Sequence, residues 1–408
     1  AAWNAHEEEF WQSFRDVVSN MTLKASYSLT ADRGPASVSN SKAIINSYNT
    51  WRPFTSMKES GLILSSVENS ELTYEKKHEL NIGAEIGFID NRINIEADWY
   101  TRNNFDLIGL IYTKGTGGQL AKFANVASMK SSGVEFTVST RNIKTKDFSW
   151  NTDFIFSHTK NEVTDLQSNA SVMDMISGNG FAMEGYPVRA LFSMDFQGLN
   201  ENGYPTFINE KGQLTVSDIN FQEQLKKDHL VYEGPTDPTM TGSLGNIFRY
   251  KGFTLNAFIT YSFGNVIRLD PVFHNVYSDL DAMPREFINR WTTGGDEKVT
   301  NVPVIADKRA NQQDPYLSYA YNAYNYSTER IAKGDFIRMK ELSLSYNFPK
   351  KMISRLKVND LSLKIQATNL FLIYSDKKLN GQDPEFFNTG GVASPVPRQF
   401  TLTLRLGI

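Results

Sequence analysis

The chain has 408 residues, a formal net charge of −3 and no cysteine. Near-neutral charge gives no electrostatic footprint for nucleic acid, and the missing thiols exclude a disulfide framework and thiol chemistry. No apolar run approaches the ~20 residues of a membrane helix, yet aromatic residues are abundant, with 27 Phe, 18 Tyr and 6 Trp.

The opening, "AAWNAHEEEFWQSFRDVVSN", has neither an initiator Met nor a signal peptide and reads as the middle of something longer. A strand end at 1–3 is expected, then an amphipathic helix. That helix would put Phe10, Trp11, Phe14, Val17 and Val18 on one side, with Asn4 as cap and Glu7, Glu8 and Glu9 near the positive end of the dipole. A period of two then takes over, the signature of a strand with one apolar and one polar face. Leu23, Ala25, Tyr27 and Leu29 alternate with Lys24, Ser26 and Ser28. Leu80 to Phe88 and Ile93 to Trp99 do the same, setting Glu85, Glu96 and Asp98 opposite Ile86, Ile95 and Ala97. Val134, Phe136 and Val138 follow, then Trp150, Phe154 and Phe156, then Leu244, Phe248 and Tyr250, then Phe253 to Phe263. A stretch at 188–196 alternates as well. "SDLDAMPREFINRWTTGG" reads as a second helix, ended by Gly294 and Gly295. Leu342 to Phe348, Leu361 to Ala367 and the closing "QFTLTLRLGI" complete the series. The count is roughly ten, many near the 9–11 residues of a tilted membrane strand.

Connections decide what the apolar faces meet. Short ones at 90–91, 142–147 and 251–252 alternate with long ones at about 31–78, 159–238, 264–335 and 375–395. Counting strand directions puts the tight turns on one side and the long loops on the other. That segregation marks an outer-membrane barrel with short periplasmic turns and long extracellular loops. Trp99, Tyr100, Trp150, Tyr250, Phe348 and Tyr374 are then expected as interfacial girdle residues. The count also requires 159–238 to hold no wall strand or two; an extracellular hairpin or lumen-facing segment is expected around 188–196. Because lipid tolerates no open sheet edge, more strands are expected before Ala1.

On these stretches the chain resembles the C-terminal part of the barrel of SusC/RagA-like TonB-dependent outer-membrane transporters of Bacteroidetes-type bacteria. The residues that carry the likeness are "AAWNAHEEEFW…VVSNMTLKASYSLT", "YEKKHELNIGAEIGFIDNRINIEADWYTRNNFDLI", "SSGVEFTVSTRNIKTKDFSWNTDFIFSHTKNEV", "DPTMTGSLGNIFRYKGFTLNAFITYSFGN", "GDFIRMKELSLSYNFPKKMI", "LSLKIQATNLFLIYS" and "GQDPEFF…SPVPRQFTLTLRLGI". They follow family order across nearly the whole of 1–408. "TADRGP" departs from the family's usual Gly-Asn at the first external loop. The resemblance implies an all-β, antiparallel transmembrane barrel of 22 strands, of which this chain would supply about 10–12. It also implies a plug and TonB-contacting segment outside these residues, a SusD-like surface lipoprotein as lid, a dimer of transporter–lipoprotein pairs, and oligosaccharide or peptide cargo. The function implied is TonB-energised import across the outer membrane; a passive porin or structural wall is the alternative, and a soluble β-rich binding protein a third.

Substrate contacts are sought in the external loops. "DPYLSYAYNAYNYSTER" carries Tyr316, Tyr319, Tyr321, Tyr324 and Tyr326, and "NTWRPF" carries Trp51. Such rings stack on sugars or peptide groups, although long loops also need small cores of their own. No cofactor, metal centre or enzyme activity is expected. His6, His78, His158, His229 and His274 are scattered. Asp237 and Asp383 offer carboxylates to a loop Ca²⁺, but lone carboxylates make no oxygen-rich cage. "GTGGQ" at 115–119 lacks the Lys-Ser/Thr and helix of a phosphate loop.

Overall fold

The computed structural model describes residues 1–34, 42–54, 56–112, 114–115, 121–167, 170–272, 285–354, 358–386 and 397–407. In chain order the elements begin with β1 (Ala2–Asn4), β2 (Val18–Asp32), β3 (Ile44–Trp51), β4 (Lys58–Ser66), β5 (Glu75–Phe88), β6 (Ile93–Tyr112), β7 (Ala121–Lys144) and β8 (Phe148–Leu166). An external segment follows with α1 (Val172–Ile176), β9 (Ala190–Met194), β10 (Phe196–Leu199), β11 (Pro205–Ile208), β12 (Leu214–Thr215) and β13 (Leu230–Pro235). Then come β14 (Met240–Tyr250), β15 (Phe253–Phe263), β16 (Val266–Arg268), α2 (Lys308–Gln313), α3 (Leu317–Asn325) and β17 (Ile331–Lys333). The chain closes with β18 (Phe336–Asn347), α4 (Lys350–Ile353), β19 (Asp360–Ser375) and β20 (Gln399–Gly407).

One 11-stranded antiparallel sheet runs β1-β2-β5-β6-β7-β8-β14-β15-β18-β19-β20. Its registers turn the period of two into continuous stripes. Met21, Ile86, Ile95, Val138, Phe154, Leu244, Ile259, Met339 and Phe371 lie side by side across nine strands. The adjoining polar stripe runs Thr22, Glu85, Glu96, Thr137, Ile155, Ser243, Thr260 and Arg338. Leu402, Leu404 and Leu406 remain exposed because none of the described residues packs over them on the apolar side. A soluble domain would bury that side; a barrel wall gives it to lipid. Strands β6, β7 and β8 have 20, 24 and 19 residues, well beyond a membrane crossing, so their hairpins rise above it.

The hydrophobic core lies in the external loops. Ala170, Val172, Met175 and Ile176 pack with Phe192, Met194, Phe207, Leu230, Val272, Phe287 and Tyr324. As the direction count requires, no strand among the described residues of 167–239 joins the wall: β9 pairs with β13, while β8 pairs directly with β14.

Three expectations change. The segment after Asn4 forms two short 3-10 turns, Ala5–Glu7 and Glu9–Ser13, in place of one helix. Asn4 makes no capping bond; His6 Nδ1 lies 2.9 Å from the Met21 carbonyl, and Trp11 Nε1 donates to Val18 O at 3.0 Å, so the turn folds onto β2. Of the second expected helix, 278–284 lies outside the described residues; Arg285–Asn289 is a 3-10 turn, and Gly295 leads into another at Asp296–Lys298. Trp99 and Tyr100 are not girdle residues at a strand end. Tyr100 is buried on the polar side, with its hydroxyl 2.8 Å from Thr159 Oγ1 and the Arg102 guanidinium 4.2 Å over its ring. It crosses Gly133, where any Cβ would meet its hydroxyl at 2.5 Å. Of the other expected girdle residues, Trp150 stacks on Phe248, 5.6 Å apart, and Phe348 packs with Tyr346 and Phe253, at the end of the sheet that carries the short turns.

Candidate transport surface

Two surfaces carry the candidate residues: the polar sheet face and the folded cap of loops above it. On the sheet, register brings together charges far apart in sequence. Lys24 pairs with Glu85 and lies 3.9 Å from Glu96, with Asp98 and Glu135 in the next row. Glu79 accepts from Lys77 and Arg102, each at 2.9 Å. Farther round, Glu341 meets Asn256 at 3.2 Å and Lys364 at 3.6 Å. Alternation exposes these residues as polar, but only strand pairing shows which of them meet. A wall of mixed, half-exposed charges holds water and offers many weak contacts.

The cap is pinned by three buried arginines. Arg268 donates to the carbonyls of Ser327 at 2.8 Å, Ile176 at 3.3 Å and Phe192 at 2.7 Å, joining three loop segments. Burial pushes its pKa down to about 10, against the pull of Glu233; burial likewise raises Glu233 above its ordinary range. Arg330 pairs with Glu286 at 2.5 Å and donates to Asp270 O at 2.6 Å. Arg338 pairs with Asp383, and with Glu385 at 2.8 Å. At the cap's edge α1 starts with a reciprocal capping box between Ser171 and Asp174.

The aromatic candidates separate. Trp51 is 59% exposed on the β3–β4 hairpin, with Lys58 Nζ 5.0 Å from its ring centre. Tyr316 and Tyr319 are exposed, 5.8 Å apart, and Tyr319 lies 6.1 Å from Phe221. Tyr321 and Tyr324 are buried, and Tyr326 is half-buried against the cap core with Arg268 5.9 Å from its ring. Of the residues expected to contact ligand, Tyr321 and Tyr324 pack the loop with their rings, and Tyr326 lies half-buried against its core. Tyr321 donates to Val304 O at 2.7 Å, and burial raises both Tyr321 and Tyr324 phenols. The signal was present in sequence. Leu317, Ala320, Tyr321 and Tyr324 are spaced i, i+3, i+4, i+7, the buried stripe of α3, whereas Tyr316 and Tyr319 fall off it.

Asp237 meets Arg189 at 2.7 Å and Asp383 meets Arg338, so neither carboxylate stands open for a cation. Among the described residues no group of three or more His, Asp or Glu is placed to hold a metal. His78 bonds Tyr27 at 2.9 Å, His158 lies 3.0 Å from Thr239 O, and half-buried His229 has its pKa lowered by desolvation. His274 and 116–119 of the glycine-rich stretch lie outside the described residues.

No family model matches the chain. TonB-dependent receptor P3 of Formosa agariphila is 23% identical over 398 residues, covering 94% of this chain and 37% of the relative. TonB-dependent receptor SusC of Bacteroides thetaiotaomicron is 24% identical over 427 residues, covering 100% of this chain and 39% of the relative. Across nearly its whole length the chain is similar to SusC-type TonB-dependent receptors. Its fold matches the RagAB peptide transporter with a TM-score of 0.77 at 21% identity, over 99% of this chain and 42% of that one. The open-open state of the RagAB peptide importer gives the same TM-score at 20% identity, over 100% of this chain and 42% of that one. The chain thus spans about two-fifths of the length of the curated relatives it matches. These relatives are receptors and transporters, not enzymes.

Proposed function

We propose that the chain is the C-terminal wall of a TonB-energised importer of large nutrients, oligosaccharides or peptides, in the outer membrane of a Bacteroidetes-type Gram-negative bacterium. In this reading residues 1–408 supply wall, lumen and external loops. The plug, the TonB-contacting segment and the remaining strands of the barrel lie in the rest of the transporter. A SusD-like surface lipoprotein closes over the loop cap, and transporter–lipoprotein pairs associate as a dimer. Trp51, Tyr316 and Tyr319, the exposed aromatics of the cap, are the residues assigned to cargo or lid.

The observation that carries the reading is the combination, in one sheet, of a lipid-ready outer face, a charged inner face and long folded loops on one side only. A passive pore needs only the wall; a loop layer with its own core and buried ion pairs suits a site that opens and closes. The test is purification of the full-length transporter from membranes in mild detergent, with mass spectrometry of what travels with it. A co-purifying surface lipoprotein is expected, together with nutrient uptake that stops when TonB is deleted. Uptake indifferent to TonB, with no lipoprotein bound, would replace the importer with a porin.

A further inference from the structure

A polar patch interrupts the apolar outer face. In the row Ile93, Thr140, Thr152, Asn246, Ala257 and Leu342, three adjacent strands place hydroxyls and an amide beside the Val138–Phe154–Leu244 stripe. These groups form a directed chain. Thr140 Oγ1 donates to Asn142 Oδ1 at 3.0 Å, Asn142 Nδ2 to Thr152 Oγ1 at 2.7 Å, and Thr152 Oγ1 to Asn246 Oδ1 at 2.8 Å. Trp150 Nε1 also donates to Asn246 Oδ1, at 2.9 Å. An indole N–H can only donate, so it fixes which end of the Asn246 carboxamide is oxygen. The Nδ2 group, with two N–H donors, is left without a partner among the described residues.

Depth identifies what can answer those donors. Thr152 and Asn246 each lie four residues from the periplasmic end of their strand, and the Trp150–Phe248 stack lies two residues below them. At ~3.3 Å per residue and ~40° of tilt, the patch sits about 10 Å above the turns. That is the level where acyl chains give way to glycerol esters. An amide left unpaired in hydrocarbon costs on the order of a few kcal/mol, so a bare alkane neighbour is a poor fit. The turns beneath carry Lys144, Lys146 and Lys251 against one Asp147, and they are joined by Lys251 N donating to Asp147 O at 3.2 Å. The sequence from acyl level to headgroup level is therefore amide donor, aromatic stack, cationic rim.

We propose that this patch on β7, β8 and β14 is a binding site for one phospholipid of the periplasmic leaflet. Asn246 Nδ2 donates to a glycerol-ester carbonyl, the Trp150–Phe248 stack lies along the glycerol and first methylenes, and the turn lysines face the phosphate. The inference rests on which face of the wall meets lipid and is independent of cargo or TonB. It is tested on the full-length transporter by native mass spectrometry from a lipid-retaining detergent, with phosphatidylethanolamine as the added probe. Asn246→Leu removes the donors without adding a polar group to the lipid face, so insertion is expected to proceed. Wild type should hold one phospholipid that Asn246→Leu has lost, while Asn81→Leu, which removes an amide on the opposite face, keeps it. Equal lipid occupancy in wild type and Asn246→Leu overturns the proposal. So does equal loss in Asn81→Leu, or a protein chain bound at the patch in place of lipid.

Discussion

Arg268 shows how much of the cap depends on single side chains. Its guanidinium reaches carbonyls from α1, β9 and the turn after α3, the last two of which also meet at the Met194–Ser327 bridge. Removing it takes a donor from three carbonyls, of which Ser327 O keeps the Arg330 N–H, and takes away one of the two cations, with Lys378, that act on Glu233. Losing a hydrogen bond from a charged donor costs about 1.5–3 kcal/mol. Arg268→Met should therefore open the cap while sparing the wall. Limited proteolysis at neutral pH should cut within 170–235, with the β14–β15 hairpin still protected. The pH dependence has a definite sign. Glu233 has a folded pKa raised above its ordinary value, so the folded cap binds that proton more tightly than the unfolded one. Its contribution is complete below the unfolded value and fades as pH climbs through the raised one. Acidification toward that value should thus restore part of the variant's protease resistance. A variant as resistant as wild type at neutral pH would show that the three carbonyls do not need the guanidinium.

At the scale of the strand, β18 carries a device that changes which way its residues face. Glu341, Ser343 and Ser345 point to the lumen; strict alternation would send Met339 and Ile337 there too and Arg338 into lipid. A bulge at Lys340, visible as register shifts against both β15 and β19, resets the phase. Met339 then joins the apolar stripe beside Ile259 and Phe371, and Arg338 turns inward to Asp383 and Glu385. The bulge thereby ties the last external loop to the inner wall. Arg338→Ala should release that loop, with amide exchange across 377–386 faster by on the order of 100-fold, the equivalent of about 3 kcal/mol, and β18 itself unchanged. Unaltered exchange there would mean the loop is held by Leu379 in its small core and not by the ion pairs. This bulge was not legible in sequence because Lys340 and Glu341 are both polar, so the phase break hides in "RMKEL". The 3-10 turns after Asn4 were hidden for a different reason: Phe10, Trp11 and Phe14 fit a helical face, but docking onto Val18 and Met21 is a tertiary demand. The stripe on α3 was legible, since its spacing alone separates Tyr321 and Tyr324 from Tyr316 and Tyr319.

For the whole molecule, the strand alternation and the sorting of loop lengths were sufficient to order the wall, because a period of two and a direction count are local and additive. The cap was not readable, because its core is assembled from 170–230, 267–272, 285–287 and 317–332, whose apolar residues have no common period. What the wall reading demands is an asymmetry between two neighbouring residues. Leu244 and Ile259 lie opposite one another in the middle of the apolar stripe; Ser243 and Thr260 lie opposite one another in the polar one. A charge on the lipid side near mid-bilayer costs about 2–4 kcal/mol, whereas a lumen position is hydrated. Leu244→Arg and Ile259→Arg should each lower the folded fraction of the full-length transporter in vesicles, read as loss of the heat-modifiable band on a gel. Ser243→Arg and Thr260→Arg, one step along the same strands, should lower it distinctly less: Ser243 is itself 8% exposed and Thr260 lies beside Arg338, but a long side chain on the polar face can lead its charge out to water. The pairs share strand, depth and substituted residue, so backbone propensity and charge number cancel and only the facing differs. If all four variants folded alike, or if the serine and threonine positions were the sensitive ones, the apolar stripe would not be the lipid surface, and the import function and the phospholipid site would both lose their footing.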